Sequence, residues 1–218
     1  MTLDRKVELV KPWISDKRVL DLGCVDHTAD HDKSPDWMHR RLIEYAGSVK
    51  GIDILQDEIE TLAKRGYEVE WGDAQSLVLD EKFDVVFAGE IVEHIANLEG
   101  FLKSVGANLK DDGVLIVSTP NVFSAIHVLF ALFNKRSCRD DHLCWFDRYT
   151  LSNLLQRHGF AVLDVRFVST TTGREVVSAF RSHSVKKALF VLISYLVETI
   201  LPPWIARGDM VAFARKKS

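Results

Sequence analysis

VLDLGCVDH, residues 19–27, has the pattern of a buried strand that runs straight into a loop. Val19, Leu20 and Leu22 make a short apolar run of strand length, and Gly23 marks the turn that ends it. A loop that wraps a dinucleotide pyrophosphate carries G-x-G-x-x-G. Here Gly23 stands alone, with Val25 and His27 where further small residues would sit. A pyrophosphate also wants a helix N-terminus directly behind the glycine turn, where free N–H groups and the helix dipole meet it. The proline-led helix start at Ser34-Pro35 comes only after the polar link VDHTADHDK, whose Asp26, Asp30 and Asp32 repel a phosphate and welcome a cation or an amino group. The loop suits an adenosine cofactor without phosphates.

Outward from this loop, short valine- and isoleucine-rich runs alternate with helix-period segments, the pattern of a parallel sheet covered by helices on both faces. Strands are expected at 18–22, 49–53, 68–72, 83–88, 114–118, 161–168 and 210–215. Helices are expected from Ser34-Pro35 towards Tyr45, over 56–64, over 97–109 up to an Asp111-Asp112-Gly113 turn, and over 150–158 with Thr150 as N-cap and Gly159 as stop. The chain reads as one domain, 1–218, with a cap segment at about 121–149 and an apolar insertion at about 170–207 before the last strand.

Bulk properties narrow the function. Of 218 residues, 47% are hydrophobic, enough for a single full core, and the net charge of -3 with interspersed signs leaves no footprint for nucleic acid. The cysteines, Cys24, Cys138 and Cys144, form no C-x-x-C pair, which fits a reducing cytoplasmic setting. The N-terminus lacks an export signal pattern. The longest apolar run, 188–201, is broken by Ser194, Tyr195, Glu198 and Thr199 and is too short to span a bilayer, though it could lie on one.

In an open α/β sheet, ligands bind beyond the carboxyl ends of the strands. Those ends carry Asp21, Gly23 and Cys24; Asp53 and Ile54; Gly72, Asp73 and Ala74; Gly89 and Glu90; and Thr119-Pro120-Asn121. Asp53 stands where a strand-end carboxylate grips ribose hydroxyls. VLDLGC, GID, GDA, FDVVFAGEIVEHI and GVLIVSTPN, in that order, resemble the successive motifs of class I S-adenosylmethionine-dependent methyltransferases over roughly residues 19–160. The EHI and TPN elements, His142 and the LLQRHGF helix are similar to the branch of ubiquinone-pathway O-methyltransferases and glycan-cluster methyltransferases.

The resemblance implies a Rossmann-like, doubly wound, seven-stranded, mainly parallel α/β sheet with an antiparallel last strand. It implies S-adenosylmethionine as cofactor, with Asp21, Gly23 and Cys24 shaping the loop beside the methionine part and Asp53, next to Ile54, on the ribose. Asp73, with Gly72 and Ala74, would meet the adenine, and Gly89-Glu90 would pass the methionine moiety. Val25 and His27 depart from the family's glycines.

Transfer to a hydroxyl calls for a base. His142 is the first candidate, ahead of Trp145-Phe146 in the cap. His94 is the second, four residues after Glu90 and so on one face with it if the segment is helical. Glu93 reads as an exposed helix residue, and Trp37 either packs the loop or stacks near the sulfonium. His27, Asp30, His31 and Asp32 offer metal-ligand types in plenty, as polar loops often do, while Cys138, His142 and Cys144 lack a fourth ligand, and no metal is expected. The acceptor is a small molecule, glycan or lipid-linked group. The apolar segment 185–204 suits a lid, a homodimer face or peripheral membrane contact. Two other readings stay open: an NAD-dependent Rossmann enzyme of the nucleotide-sugar dehydrogenase or epimerase type, and a non-catalytic cofactor-binding scaffold.

Overall fold

All seven expected strands form one sheet: β1 (Arg18–Leu22), β2 (Ser48–Asp53), β3 (Val69–Trp71), β4 (Phe83–Gly89), β5 (Leu109–Pro120), β6 (Phe160–Val168) and β7 (Asp209–Lys216). The computed structural model describes residues 2–135, 138–169, 192, 193, 195–197 and 199–217. Strand order is β3-β2-β1-β4-β5-β7-β6. The first five pair in parallel, and β7 runs antiparallel to both β5 and β6. The order reverses between β1 and β4, so the crevice beyond Leu22 and Gly89 is the topological switch point where such sheets take ligands.

Strand alternation divides the core between the two faces. Leu20, Leu22, Val86, Ala88, Leu115 and Val117 pack with Phe101 and Leu102 of α4 (Leu98–Asn108) and Leu151 and Leu155 of α6 (Arg148–Arg157). Val19, Val85, Phe87, Ile116 and Phe213 pack the other way, against Leu42 of α2 (Met38–Tyr45) and Val10 and Ile14 of α1 (Thr2–Ile14). Ile59 and Leu62 of α3 (Gln56–Lys64) bury Cys24, Val25 and Trp37.

Several expected boundaries are corrected. Ser34 is not an N-cap: residues 29–33 form a 3-10 turn that Ser34 closes, and α2 begins only at Met38. Asp111-Asp112-Gly113 is not a turn but part of β5, which starts at Leu109 and shifts register against β4 between Phe83 and Val85. Thr150 is the third residue of α6, not its N-cap. Asp147 caps that helix, accepting from the Tyr149 and Thr150 N–H groups, while Thr150 Oγ1 accepts from the Asp147 N–H at 2.9 Å. The cap holds α5 (Ala125–Leu132), whose N-cap Ser124 accepts from His127 N–H. Most of the apolar insertion lies outside the described residues.

Candidate functional site

A cleft of about 720 Å³ opens over the carboxyl ends of β1 to β4 and is lined by all twelve expected site residues. Gly23 adopts φ +81° and turns the first loop sharply, while its N–H and that of Cys24 both donate to the Ile52 carbonyl, at 2.8 and 3.3 Å. The departure at Val25 is accommodated because its side chain points into the core with Ile59 and Leu62, away from the cleft. At His27 it is met by strain: Asp26 and His27 sit at φ +51° and +78°, a left-handed pair that glycine would adopt freely.

Asp53 fixes this loop as well as facing the cleft. Its Oδ2 accepts from Val25 N–H at 3.0 Å and its Oδ1 from Leu55 N–H at 3.1 Å, which leaves lone pairs on both oxygens for a ligand. Burial nevertheless pushes its carboxyl above the ordinary range. Asp21 points beneath the loop to His39, with Oδ2 2.7 Å from Nδ1 and both groups buried. His39 Nε2 is buried with no partner among the described residues. Burial, with Asp21 and Asp53 nearby, pushes the Cys24 thiol strongly up, so it stays neutral. Trp37 packs: its indole N–H donates to the Cys24 carbonyl at 2.8 Å and it is 1% exposed. Asp73 accepts from the Gln75 N–H at 2.9 Å at the head of the next turn.

At the other end of the cleft the chain gathers its acid and base groups. Glu90, at φ +51°, receives Lys6 Nζ and Ser118 Oγ, each at 2.7 Å, and Lys6 also reaches Asp209 at 3.0 Å. Burial pushes the Glu90 carboxyl up, but the Lys6 ammonium outweighs it and holds the group below its usual range. Glu93 differs. It is 1% exposed, accepts one hydrogen bond from Thr119 Oγ1 at 2.9 Å, and burial together with the Glu90 charge pushes it up to about 8. The expected exposed helix residue is therefore a buried carboxyl. Glu93 and His94 lie on the 3-10 turn Val92–His94, not on an α-helix, so Glu90 and His94 share no helical face.

His94 and His142 meet edge to face, with ring centroids 4.6 Å apart. Burial and the neighbouring His94 lower the pKa of His142, which favours its neutral, proton-accepting form. The two metal sets weighed from sequence are used otherwise: Asp30 and Asp32 pair with Arg65, and Cys144 Sγ lies against the carbonyls of Val92 and Glu93. Among the described residues, the group whose ligand atoms converge is Glu93, His94 and His142.

Sequence reading missed Lys6, His39 and Ser118, and it named Thr119 only as part of a strand end. A signal for Lys6 was present, since Leu3, Val7, Val10 and Ile14 recur at helical spacing and predict α1. None existed for His39, whose partner is 18 positions away.

A family model described as a methyltransferase domain matches residues 3–165. The ubiquinone biosynthesis O-methyltransferase of Rickettsia prowazekii is 29% identical over 114 residues, 50% of this chain and 42% of that protein. The (S)-coclaurine N-methyltransferase of Papaver somniferum is 29% identical over 99 residues, 45% of this chain and 28% of that protein. The chain thus spans less than half the length of these relatives. A SAM-dependent methyltransferase from Archaeoglobus fulgidus superposes with a TM-score of 0.63 at 21% identity, over 96% of this chain and 94% of that one.

Proposed function

The chain belongs to the methyltransferase-domain family and its cofactor is S-adenosylmethionine; from that premise we propose that it methylates an oxygen of a small-molecule, glycan or lipid-linked acceptor. The observation that carries this reading is the division of the cleft: Asp21, Asp53 and Asp73 line one end and a neutral-leaning His142 with His94 lines the other.

The residues fit the cofactor. Asp53 keeps acceptor lone pairs for ribose hydroxyls, Asp73 with Gly72 and Ala74 stands at the adenine end, and the acidic first loop suits an amino group and a sulfonium better than a phosphate. Ile54 beside Asp53 and Gly89-Glu90 at the end of β4 complete the wall. Bound there, S-adenosylmethionine supplies a methyl group already activated on sulfur. The chain's task is then to align the acceptor and receive its proton, for which His142 comes first and His94 second.

Oxygen is preferred to nitrogen as the acceptor atom because several relatives are named as O-methyltransferases, although one N-methyltransferase is also similar. A lipid-linked acceptor is supported by a second cavity of about 840 Å³, walled by Phe123, Val128, Leu132, Trp204 and Ile205. Both cavities border α5: His127 faces the cleft, Val128 and Leu132 the groove. Exposed apolar residues at Leu196, Ile200 and Trp204 support a homodimer face or peripheral membrane contact through 185–204, and no helix among the described residues is long and apolar enough to cross a membrane. The three free cysteines support a cytoplasmic setting.

Calorimetric titration with S-adenosylhomocysteine and, separately, with NAD tests the site. Micromolar binding of the first alone is expected, weakened at least tenfold, about 1.4 kcal/mol, in Asp53→Ala. Preference for NAD would refute the assignment. Labelled-methyl transfer to a panel of phenolic, sugar and prenylated acceptors then identifies the substrate class, and cofactor binding without transfer to any of them would leave the scaffold reading standing.

A further inference from the structure

Asp21 stands on the face of β1 that α2 covers. Val19, two residues earlier, packs that face, and strand alternation calls for another apolar side chain at position 21. The chain instead buries a carboxylate there, 3% exposed, and α2 meets it with His39, 1% exposed. His39 Nδ1 lies 2.7 Å from Asp21 Oδ2, the only hydrogen bond that either side chain makes among the described residues. A carboxylate accepts, so Nδ1 carries the proton and donates it.

Packing alone does not account for an imidazole at this place. Its Nε2 is buried with no partner among the described residues, a cost that a leucine of similar size would avoid. Local rules are broken in this way chiefly where a site needs the group. The ring is also held on several sides. Trp37 lies against it with centroids 5.0 Å apart and Tyr67 at 6.3 Å. Gly51, the register partner of Asp21 on β2, leaves the room, since a Cβ there would stand 2.8 Å from His39 Cε1. An imidazole held in this way fixes the carboxylate to which it donates. With Oδ2 engaged, Asp21 keeps Oδ1 as an acceptor, and it lines the cleft beside Gly23.

We propose that His39 is a positioning residue for the cofactor: by donating from Nδ1 to Oδ2 it orients Asp21 so that Oδ1 receives the ammonium group of the cofactor's methionine part.

The ammonium is placed there by the reading above of the acidic first loop, on which the role of His39 rests. Among the carboxylates of the cleft, Asp53 already receives two backbone N–H groups and Glu90 the Lys6 ammonium, whereas Asp21 receives a single N–H. It therefore has the most to gain from a cationic ligand group. A carboxylate that loses its orientation forfeits the contact with the ammonium and leaves those with the adenosine in place. Two ligands separate these contacts: S-adenosylhomocysteine carries the amino-acid part, and methylthioadenosine has the same adenosine and sulfur without it.

Both ligands are titrated calorimetrically into the parent chain and into His39→Leu, His39→Asn and Asp21→Asn. We expect His39→Leu to weaken S-adenosylhomocysteine by at least about tenfold and methylthioadenosine by less than about twofold. His39→Asn, whose amide N–H stands where Nδ1–H stood, should bind S-adenosylhomocysteine within about threefold of the parent. Asp21→Asn should show the same selective loss, and His39→Leu added to it should cost little more. Where His39→Leu does not fold, His39→Gln, whose amide lies one bond further out, carries the same expectation. A folded His39→Leu or His39→Gln that binds both ligands as the parent does overturns the proposal. So does an equal loss for the two ligands, as simple damage to the loop would give, or a His39→Asn that recovers nothing. A parent chain that binds neither ligand refutes the placement of the cofactor in the cleft, and the role of His39 with it.

Discussion

Lys6 holds two carboxylates together, Glu90 from the end of β4 and Asp209 from the start of β7. Burial works against its charge, yet both carboxylates hold the ammonium protonated above its ordinary range. Without it, Glu90 and Asp209 would be left beside each other with no cation. Lys6→Met is therefore expected to cost about 2 kcal/mol, less than a fully buried pair because the groups are 12% to 40% exposed. Adding Asp209→Asn should recover part of that loss, read as a coupling in urea denaturation of the single and double variants. Strict additivity would show that the contact is not energetic. Gly51 poses a steric question at the same scale. A Cβ there would stand 2.7 Å from Cys24 Sγ and 2.8 Å from His39 Cε1, beneath the loop that Gly23 opens. Gly51→Ala should destabilise by about 1 to 3 kcal/mol and weaken S-adenosylhomocysteine binding together with it; wild-type affinity in a folded variant would show that the loop does not feel this contact.

Between elements, Asp84 joins three strands: its Oδ2 accepts from Arg18 N–H of β1 at 2.9 Å and its Oδ1 from Lys110 Nζ of β5 at 2.6 Å. Burial raises its pKa, but these donors outweigh it and hold the carboxyl below its usual range. A folded pKa depressed below the unfolded value of about 3.9 means stability that is present above that pH and lost as the pH falls through the folded value. Asp84→Asn is expected to cost about 1 kcal/mol at pH 7, discounted for partial exposure, and less at pH 3. An equal gap at both pH values, measured by urea unfolding, would exclude the ionic contribution. The sequence made strands legible because alternating or continuous apolar runs such as VVFA and VLIV have few other uses in a chain of this size. Helix starts were less legible. Asp147 and Thr150 both have capping chemistry, and only the backbone geometry shows which one stands outside the helix.

For the whole molecule, the strand-end side of the cleft was readable because the positions of its residues follow from the strands themselves. At the opposite end His142 and His94 were named, but their surroundings were not, because Lys6, Glu93, Thr119 and His142 come from four separate parts of the chain and their mutual placement exists only after folding. His39 shows the same limit, since nothing local distinguishes it from any other histidine in an amphipathic helix. Two cavities lie on either side of α5, an arrangement invisible in the linear order.

The strand order also sets a timetable. β7 lies between β5 and β6 although it is made after both, and Asn121 at the end of β5 donates through Nδ2 to the carbonyls of Trp204 and Arg207, just ahead of β7. During synthesis β1 to β5 can pair as they emerge, but β6 must wait with an unfilled gap beside it until residues 209–216 are free to insert. Throughout that interval β5 shows an open edge, so the nascent chain is most exposed to mispairing with its neighbours immediately before the last strand arrives.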